Sequence, residues 1–159
     1  MRHAERVSTT SARPDDVERA HLIDPADTSF RIDRFPPAPE LEPVIGRFWV
    51  PTWSLPPGEE RVQRVLQHPA ALIVVSPDYD RCYGIAPGVS ETRLSGTSWA
   101  FGVMLRPCAG HLVTGLPMGR LRGRHLPLAE AWRHGGEVTD AVRRILGSAP
   151  GEPEPQRAA

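Results

Sequence analysis

Residues 96–110, GTSWAFGVMLRPCAG, decide the fold class, because a strand pattern ends there in a Pro/Gly turn. Large and small side chains alternate along this stretch, which predicts a core strand with a large face and a small face. The large face holds Trp99, Phe101, Val103 and Leu105, and the small face holds Ser98, Ala100, Gly102, Met104 and Arg106. A glycine inside a strand is expected where another backbone, a helix or a ligand comes close, so we assign the large face to the core and look for a pocket at the small face.

The residues before this stretch contain short apolar segments separated by Pro and Gly turns, which predict further strands. These segments are 30–35, 47–55, 62–67, 71–75, 81–85 and 91–94. Pro51 cannot donate a ladder hydrogen bond, so its segment is predicted to be an edge strand or to carry a bulge. The segments 81–85 and 91–94 are predicted to form a hairpin around Pro87 and Gly88. Seven or so short strands at this spacing favour a sandwich, a jelly roll or a cupin-like barrel.

After Pro107 the pattern becomes helical. A helical turn is predicted over 108–114, one more strand over 121–126 and a short helix over 127–132 behind a proline at its first position. Val138, Val142, Ile145 and Leu146 form the apolar stripe of a final helix that ends at Gly147. The predicted fold class is therefore mainly β with C-terminal helices: a cupin-like or jelly-roll barrel followed by two or three short helices.

Length and charge limit the range of functions. The chain has 159 residues, enough for one domain, which we place at 30–147 between a disordered N-terminal arm (1–29) and a disordered tail (148–159). With 19 basic and 19 acidic residues, the net charge of zero favours neither direct nucleic-acid binding nor membrane binding by this chain. Two cysteines are too few for a disulfide framework or a zinc site, and the N-terminal sequence has no apolar leader, so a cytoplasmic location is expected.

Catalytic and metal-binding patterns were not found. His68, His111, His125 and His134 are isolated from one another in the sequence, so no metal and no cofactor is expected. No nucleophile elbow, phosphate-binding glycine loop or Cys-His pair is recognisable, so no catalytic residue is assigned and the chain is not expected to be an enzyme. For Cys108 a small buried hydrophobic role is favoured over a reactive thiol.

The small face suggests a ligand pocket. Arg106 could hold an anionic ligand through two parallel hydrogen bonds, although an arginine there more commonly pairs with Asp or Glu or caps nearby carbonyls. The candidate ligand-binding residues are Arg106, His68, Gln67, Arg81, Tyr83 and Met104. A second cluster could meet phosphate, but we favour the solvated face of a strand or part of an interface for it. That cluster is Arg120, Arg122, Arg124 and His125. Trp49, Trp53, Trp99 and Trp132 are expected to pack in the core and at its rim rather than form an aromatic cage.

Several segments, taken together and in order, resemble the N-terminal sensor domain of a subgroup of AraC-type transcriptional regulators. They are RFPPAPELEPVIGRFWV, WSLPPG at 53–58, VLQHP at 65–69, YG at 83–84, WAFGVMLRP at 99–107 and LPLAEAW at 126–132. The resemblance covers about residues 30–147. It implies a cupin-like barrel that binds an unknown small-molecule effector or mediates dimerisation, with DNA bound by separate helix-turn-helix motifs.

The expected function is therefore a non-enzymatic effector-sensing or homodimerising domain that does not bind DNA by itself. The family continues with DNA-binding helices where this sequence ends, which suggests a stand-alone sensor, a truncated or split regulator, or a fragment. Two alternatives remain open: a cupin-like isomerase or oxygenase, and a module that pairs with full-length regulators. The partner surface of that module would be the stripe of Val138, Val142, Ile145 and Leu146.

Overall fold

The computed structural model describes residues 28–148, which form a mainly antiparallel β domain followed by helices. The strands are β1 (Phe30–Phe35), β2 (Ile45–Ser54), β3 (Glu60–Leu66), β4 (Leu72–Val75), β5 (Asp80–Tyr83), β6 (Val89–Ser95), β7 (Thr97–Trp99), β8 (Phe101–Leu105) and β9 (His125–Pro127). The α-helices are α1 (Ala109–Thr114), α2 (Leu128–Ala131) and α3 (Gly135–Gly147), and 3-10 turns cover Pro39–Leu41 and Met118–Leu121. The predicted class, mainly β with C-terminal helices, is confirmed.

The strands form a large sheet and a separate two-stranded ribbon. The large sheet has the order β1-β2-β8-β4-β5-β9, and β7 pairs with β2 beside β8. The ribbon consists of β3 and β6, paired from Glu60 opposite Ser95 to Leu66 opposite Val89. The predicted hairpin between 81–85 and 91–94 is therefore wrong, because β5 pairs with β4 and β9 while β6 pairs with β3. We call the β3–β6 pair the ribbon below.

Pro51 does not place its strand at an edge. β2 lies between β1 on one side and β7 with β8 on the other, and Pro51 is opposite Ile32 of β1. On the other side the pairing breaks at Ala100, between β7 and β8, where the Ala100 N–H donates to the Pro51 carbonyl at 3.0 Å. The amide and carbonyl of one residue point to the same side of a strand, so the donor that proline lacks falls at this break.

The large sheet has two different faces. Its outer face carries the core, which continues under the helices and includes Ala71, Ile73, Val75, Cys82, Val103, Leu105, Ala109, Leu121, Leu128 and Ala131. Phe101 packs against this cluster, so the assignment of Phe101, Val103 and Leu105 to the core is right. Trp99 is half-buried outside the cluster, because β7 is a short separate strand beyond the break at Ala100.

Polar contacts attach the last helix to the sheet. The Leu128 N–H at the start of α2 donates to Asp80 Oδ1 at 2.9 Å, and Arg143 of α3 lies 3.5 Å from Asp80 Oδ2. The Arg143 Nε–H also donates to the Ser76 carbonyl at 2.9 Å. Asp80 and Arg143 therefore hold the helical end against β4 and β5.

The disorder predicted for 1–29 and 148–159 concerns residues that, apart from Thr28, Ser29 and Ser148, lie outside the described part of the chain. Within residues 28–148, no helix is long and apolar enough to cross a membrane.

Candidate functional site

A cavity of about 760 Å³ lies between the inner face of the large sheet and the ribbon. Its volume falls in the range of about 300–1,000 Å³ that is typical of small-molecule sites. The sheet forms the floor of this cavity, and the ribbon forms the opposite wall. The barrel-like arrangement of the two sheets therefore leaves room for a ligand.

One cross-strand row crosses the middle of the floor. Arg34 of β1 is opposite Trp49, Trp49 is opposite Gly102, Gly102 is opposite Val74, and Val74 is opposite Arg81. A Cβ on Gly102 would lie 2.0 Å from Trp49 Cε2, so the indole packs directly on the glycine. The glycine in the small face is therefore required by a close aromatic neighbour. A guanidinium lies at each end of this row, and the centre of the row is apolar.

The adjacent row continues the same pattern. Met104 lies between Arg47 and Leu72, and Tyr83 lies between Leu72 and His125. The rings of Tyr83 and His125 are in contact, with centroids 5.3 Å apart. The floor is thus apolar in the middle, with polar and aromatic side chains toward β5 and β9.

The wall is made by alternate residues of the ribbon. Those that line the cavity include Gln63 and Val65 of β3 and Ser90, Thr92 and Leu94 of β6. Gln63 and Leu94 are buried, whereas their neighbours Val62 and Arg93 are exposed, as expected for a two-faced ribbon. Gln67, just after β3, donates from Nε2 to Ser90 Oγ at 2.5 Å and ties the end of the wall together.

The cavity lining is cationic. It contains Arg34, Arg47, Arg81, Arg93 and Arg124. Among the described residues that line the cavity, the acidic one is Glu91, which pairs with Arg64 at 3.1 Å between two well-exposed side chains. Such an excess of guanidinium groups favours a ligand with negative charge.

Two nitrogen atoms in the lining are buried without a hydrogen-bond partner among residues 28–148. They are Arg34 Nε and His68 Nε2. A buried polar atom left unpaired costs about 1–3 kcal/mol, and such atoms are uncommon in folded proteins. Arg34 Nε needs an acceptor, and His68 Nε2 either donates or accepts according to its tautomer. Both atoms are therefore well suited to contact a ligand.

Arg81 at the opposite end of the row already has aromatic neighbours. Its guanidinium carbon lies 4.7 Å from the centre of the Tyr79 ring, and Nη1 lies 3.5 Å from Tyr83 Oη. Burial raises the pKa of Tyr79 above its usual value of 10.0, Tyr83 raises it further, and Arg81 partly opposes this shift. Tyr79 therefore stays a neutral hydroxyl at physiological pH.

The structure places most of the sequence-predicted site residues together. Gln67, His68, Arg81, Tyr83 and Met104 all line the cavity. Arg106 does not: β8 ends at Leu105, and the exposed Arg106 side chain donates from Nε to the Glu42 carbonyl at 2.6 Å. Arg106 thus caps a carbonyl, which was the alternative that the sequence favoured, and its inclusion in the pocket is corrected.

Sequence reasoning missed Arg34 and misjudged two tryptophans. Trp49 and Trp53 line the cavity rather than only filling the core and rim. Phe30, Ile32 and Arg34 are every second residue of β1, so all three lie on one face of the strand. Only the order of strands in the sheet shows that this face lines the cavity.

The predicted arginine cluster is divided between two places, because Arg124 and His125 line the cavity whereas Arg120 and Arg122 do not. Arg120, Arg122 and Arg124 border an open groove with Pro87, Gly119 and Gly123. The strand predicted over 121–126 is present only as the shorter β9 at His125–Pro127, because a 3-10 turn covers Met118–Leu121. In the helical stripe, Val142 packs against the core and Ile145 is 70% exposed, with Val138 and Leu146 half-buried. Binding by either cluster stays a prediction.

The remaining candidates are the possible metal ligands and the two cysteines, Cys82 and Cys108. No group of three or more His, Cys, Asp or Glu side chains in residues 28–148 is arranged to hold a metal ion. Cys108 is exposed and has a positive φ of 71° before α1, so the predicted buried role for it is wrong. Cys82 is buried, and burial raises the pKa of its thiol.

Fold and site together define a barrel-like β domain with a cationic, ligand-sized cavity. The chain belongs to the family described as a domain of unknown function, DUF6597, whose model matches residues 33–127. This match runs from β1 to the end of β9, so it includes the strands on both sides of the cavity. Comparisons with curated proteins and with solved structures found no match.

Proposed function

We propose that this chain is a non-enzymatic sensing domain that binds a small-molecule effector in the cavity between the large sheet and the ribbon. The observation that carries the proposal is a pair of buried nitrogens in the cavity lining, Arg34 Nε and His68 Nε2, that have no hydrogen-bond partner within residues 28–148. An apolar body with a few placed polar groups is the usual composition of a small-molecule site.

The proposed relationship is to the sensor domains of AraC-type transcriptional regulators. It is supported by the ordered sequence segments between residues 30 and 147 and by a β domain followed by helices. In this proposal the ligand changes the state of the β domain, and DNA is bound by separate helix-turn-helix motifs. The net charge of zero supports the view that this chain does not bind DNA by itself.

Ligand binding is tested with a cavity-filling variant and a matched control. Val74 lies at the centre of the floor, and Val74→Phe adds a ring where the ligand would sit. Val62 is 44% exposed on the opposite side of the ribbon, so Val62→Phe makes the same change outside the cavity. A panel of small organic acids, sugars and amines is screened by thermal shift against the unmodified chain.

A compound that binds the native state should stabilise it by about 2.7 kcal/mol at one hundred times its dissociation constant. We expect at least one compound to raise the melting temperature of the unmodified chain and of Val62→Phe but not of Val74→Phe. Equal shifts in both variants, or no shift across the panel, would contradict the proposal. Stoichiometric metal in the purified protein, or sequence-selective DNA retardation by this chain, would also contradict it.

A further inference from the structure

Arg34 carries a charge that no carboxylate of residues 28–148 pairs with. Its Nε is buried at the cavity, and no carboxylate among the described residues pairs with it. Asp33, its neighbour on β1, points to the other side of the strand, where it accepts hydrogen bonds from Arg31 Nε at 3.0 Å and Nη2 at 2.7 Å. A partly desolvated cation without an anion is costly, so an anionic ligand would supply what Arg34 lacks.

The neighbour of Arg34 in the floor is a flat apolar surface. Trp49 is directly opposite Arg34, and its indole packs on Gly102 with three ring carbons 2.0–2.4 Å from the position of a Cβ on that residue. Met104 and Leu72 lie in the adjacent row. Offset stacking on such a ring contributes about 0.5–1.5 kcal/mol beyond the area that it buries. A planar apolar group beside an anion would therefore fit this end of the floor.

Three of the other four arginines of the lining are less suited to hold the anion. Arg81 is stacked on Tyr79 and touches Tyr83 Oη, and Arg93 is exposed and pairs with Glu60 at 3.5 Å. Arg124 is exposed at the edge of the cavity. Arg34 is the guanidinium with a buried, unpartnered nitrogen in the described lining, which favours the β1 end of the row.

We infer that the effector is an organic oxyanion with a flat apolar body, with its oxyanion at Arg34 and its body on the Trp49 indole. This inference rests on the proposed function and adds the chemical class of the ligand. A carboxylate, a sulfonate and a phosphate share the oxygen acceptors that a guanidinium binds through parallel hydrogen bonds. The three are to be told apart by experiment.

The test uses probes that share one body. Isothermal titration calorimetry measures the binding of 2-naphthoate, naphthalene-2-sulfonate, 2-naphthyl phosphate and neutral 2-naphthamide to the unmodified chain. The same titrations are made with Arg34→Gln and with Arg31→Gln. Arg31 is on the same strand, its side chain is 74% exposed, and it faces away from the cavity, so it gives the same change in charge as a control.

We expect at least one of the three anions to bind at least about tenfold more tightly than 2-naphthamide. The reason is that a charge-assisted hydrogen bond contributes more binding free energy than a neutral one. Arg34→Gln should reduce this preference to less than about threefold, and Arg31→Gln should keep it. The best of the three anions identifies the oxyanion. The preference of the unmodified chain is measurable even if Arg34→Gln fails to fold.

Two results would overturn the inference and leave the proposed function standing. They are equal affinity for the anions and the amide, and an anion preference that survives Arg34→Gln. If none of the four probes binds while the screen finds a compound that Val74→Phe excludes, the ligand class is wrong and the cavity function is right. If Val74→Phe and Val62→Phe respond equally to every compound, the proposed function itself fails.

Discussion

Replacing Gly102 by alanine should destabilise the protein and disturb the floor of the cavity. The added Cβ would lie 2.0 Å from Trp49 Cε2, 2.2 Å from Cζ2 and 2.4 Å from Cδ2. Carbon atoms in contact settle at about 3.5–4.0 Å, so the indole must move by roughly 1.5 Å or the two strands must separate. Overpacking of this kind costs about 1–3 kcal/mol. Because Trp49 lines the cavity, a shift of its indole should also weaken 2-naphthoate binding.

The assay is urea unfolding followed by far-ultraviolet circular dichroism. Gly119→Ala is the control, because a Cβ at Gly119 meets nothing within 4 Å. The control should stay within about 0.5 kcal/mol of the unmodified chain, the usual range for open surface positions. A free energy of unfolding for Gly102→Ala within that same range would refute the packing of Trp49 on this glycine.

Three further predictions concern stability. Arg143→Met removes the link between α3 and the sheet and should lower the free energy of unfolding by about 1–2 kcal/mol in urea, whereas the exposed Arg144→Met should not. Cys108→Gly should raise the free energy of unfolding by up to about 1 kcal/mol in the same assay, because φ is 71° at this residue and glycine adopts a positive φ without strain. A lower free energy of unfolding for Cys108→Gly would count against backbone strain at this residue. The raised pKa of Tyr79 means that the folded protein keeps a proton that the unfolded chain loses above about pH 10, so stability falls as pH rises through the folded pKa. Tyr79→Phe should make this fall shallower in unfolding curves between about pH 9 and pH 11, and an unchanged slope would exclude Tyr79 as its source.

Local patterns predicted the elements whose faces are fixed by burial. The alternation along β8 identified Phe101, Val103 and Leu105 as core and Gly102 and Met104 as the opposite face, because successive side chains of a strand point to opposite sides. The final helix was also predictable, since its apolar stripe and its glycine end are local signals.

Pairing between distant strands was not predictable from the same signals. Pro87 and Gly88 are good turn residues, but the turn they make leads β6 to β3 rather than back to β5. Pro51 was expected at an edge or at a bulge, and its missing donor faces a break in the pairing between β7 and β8. Both outcomes depend on contacts between segments far apart in the sequence.

For the same reason, only part of the candidate site could be predicted from the sequence. Gln67, His68 and Tyr83 were candidate pocket residues and line the cavity, although no local pattern shows that they are neighbours. Arg34 and Trp49 join them only through the order β1-β2-β8-β4-β5, which one sequence does not reveal. Arg106 was excluded by a local event, the end of β8 one residue earlier.

The most direct test of the cavity as a binding site is a crystal structure of the chain grown with 2-naphthoate. We expect electron density for the acid between the large sheet and the ribbon, with the naphthalene on Trp49 and a carboxylate oxygen within hydrogen-bond distance of Arg34 Nε. Density for the acid only at another place on the protein, with the cavity unchanged and unoccupied, would show that the cavity is not its binding site.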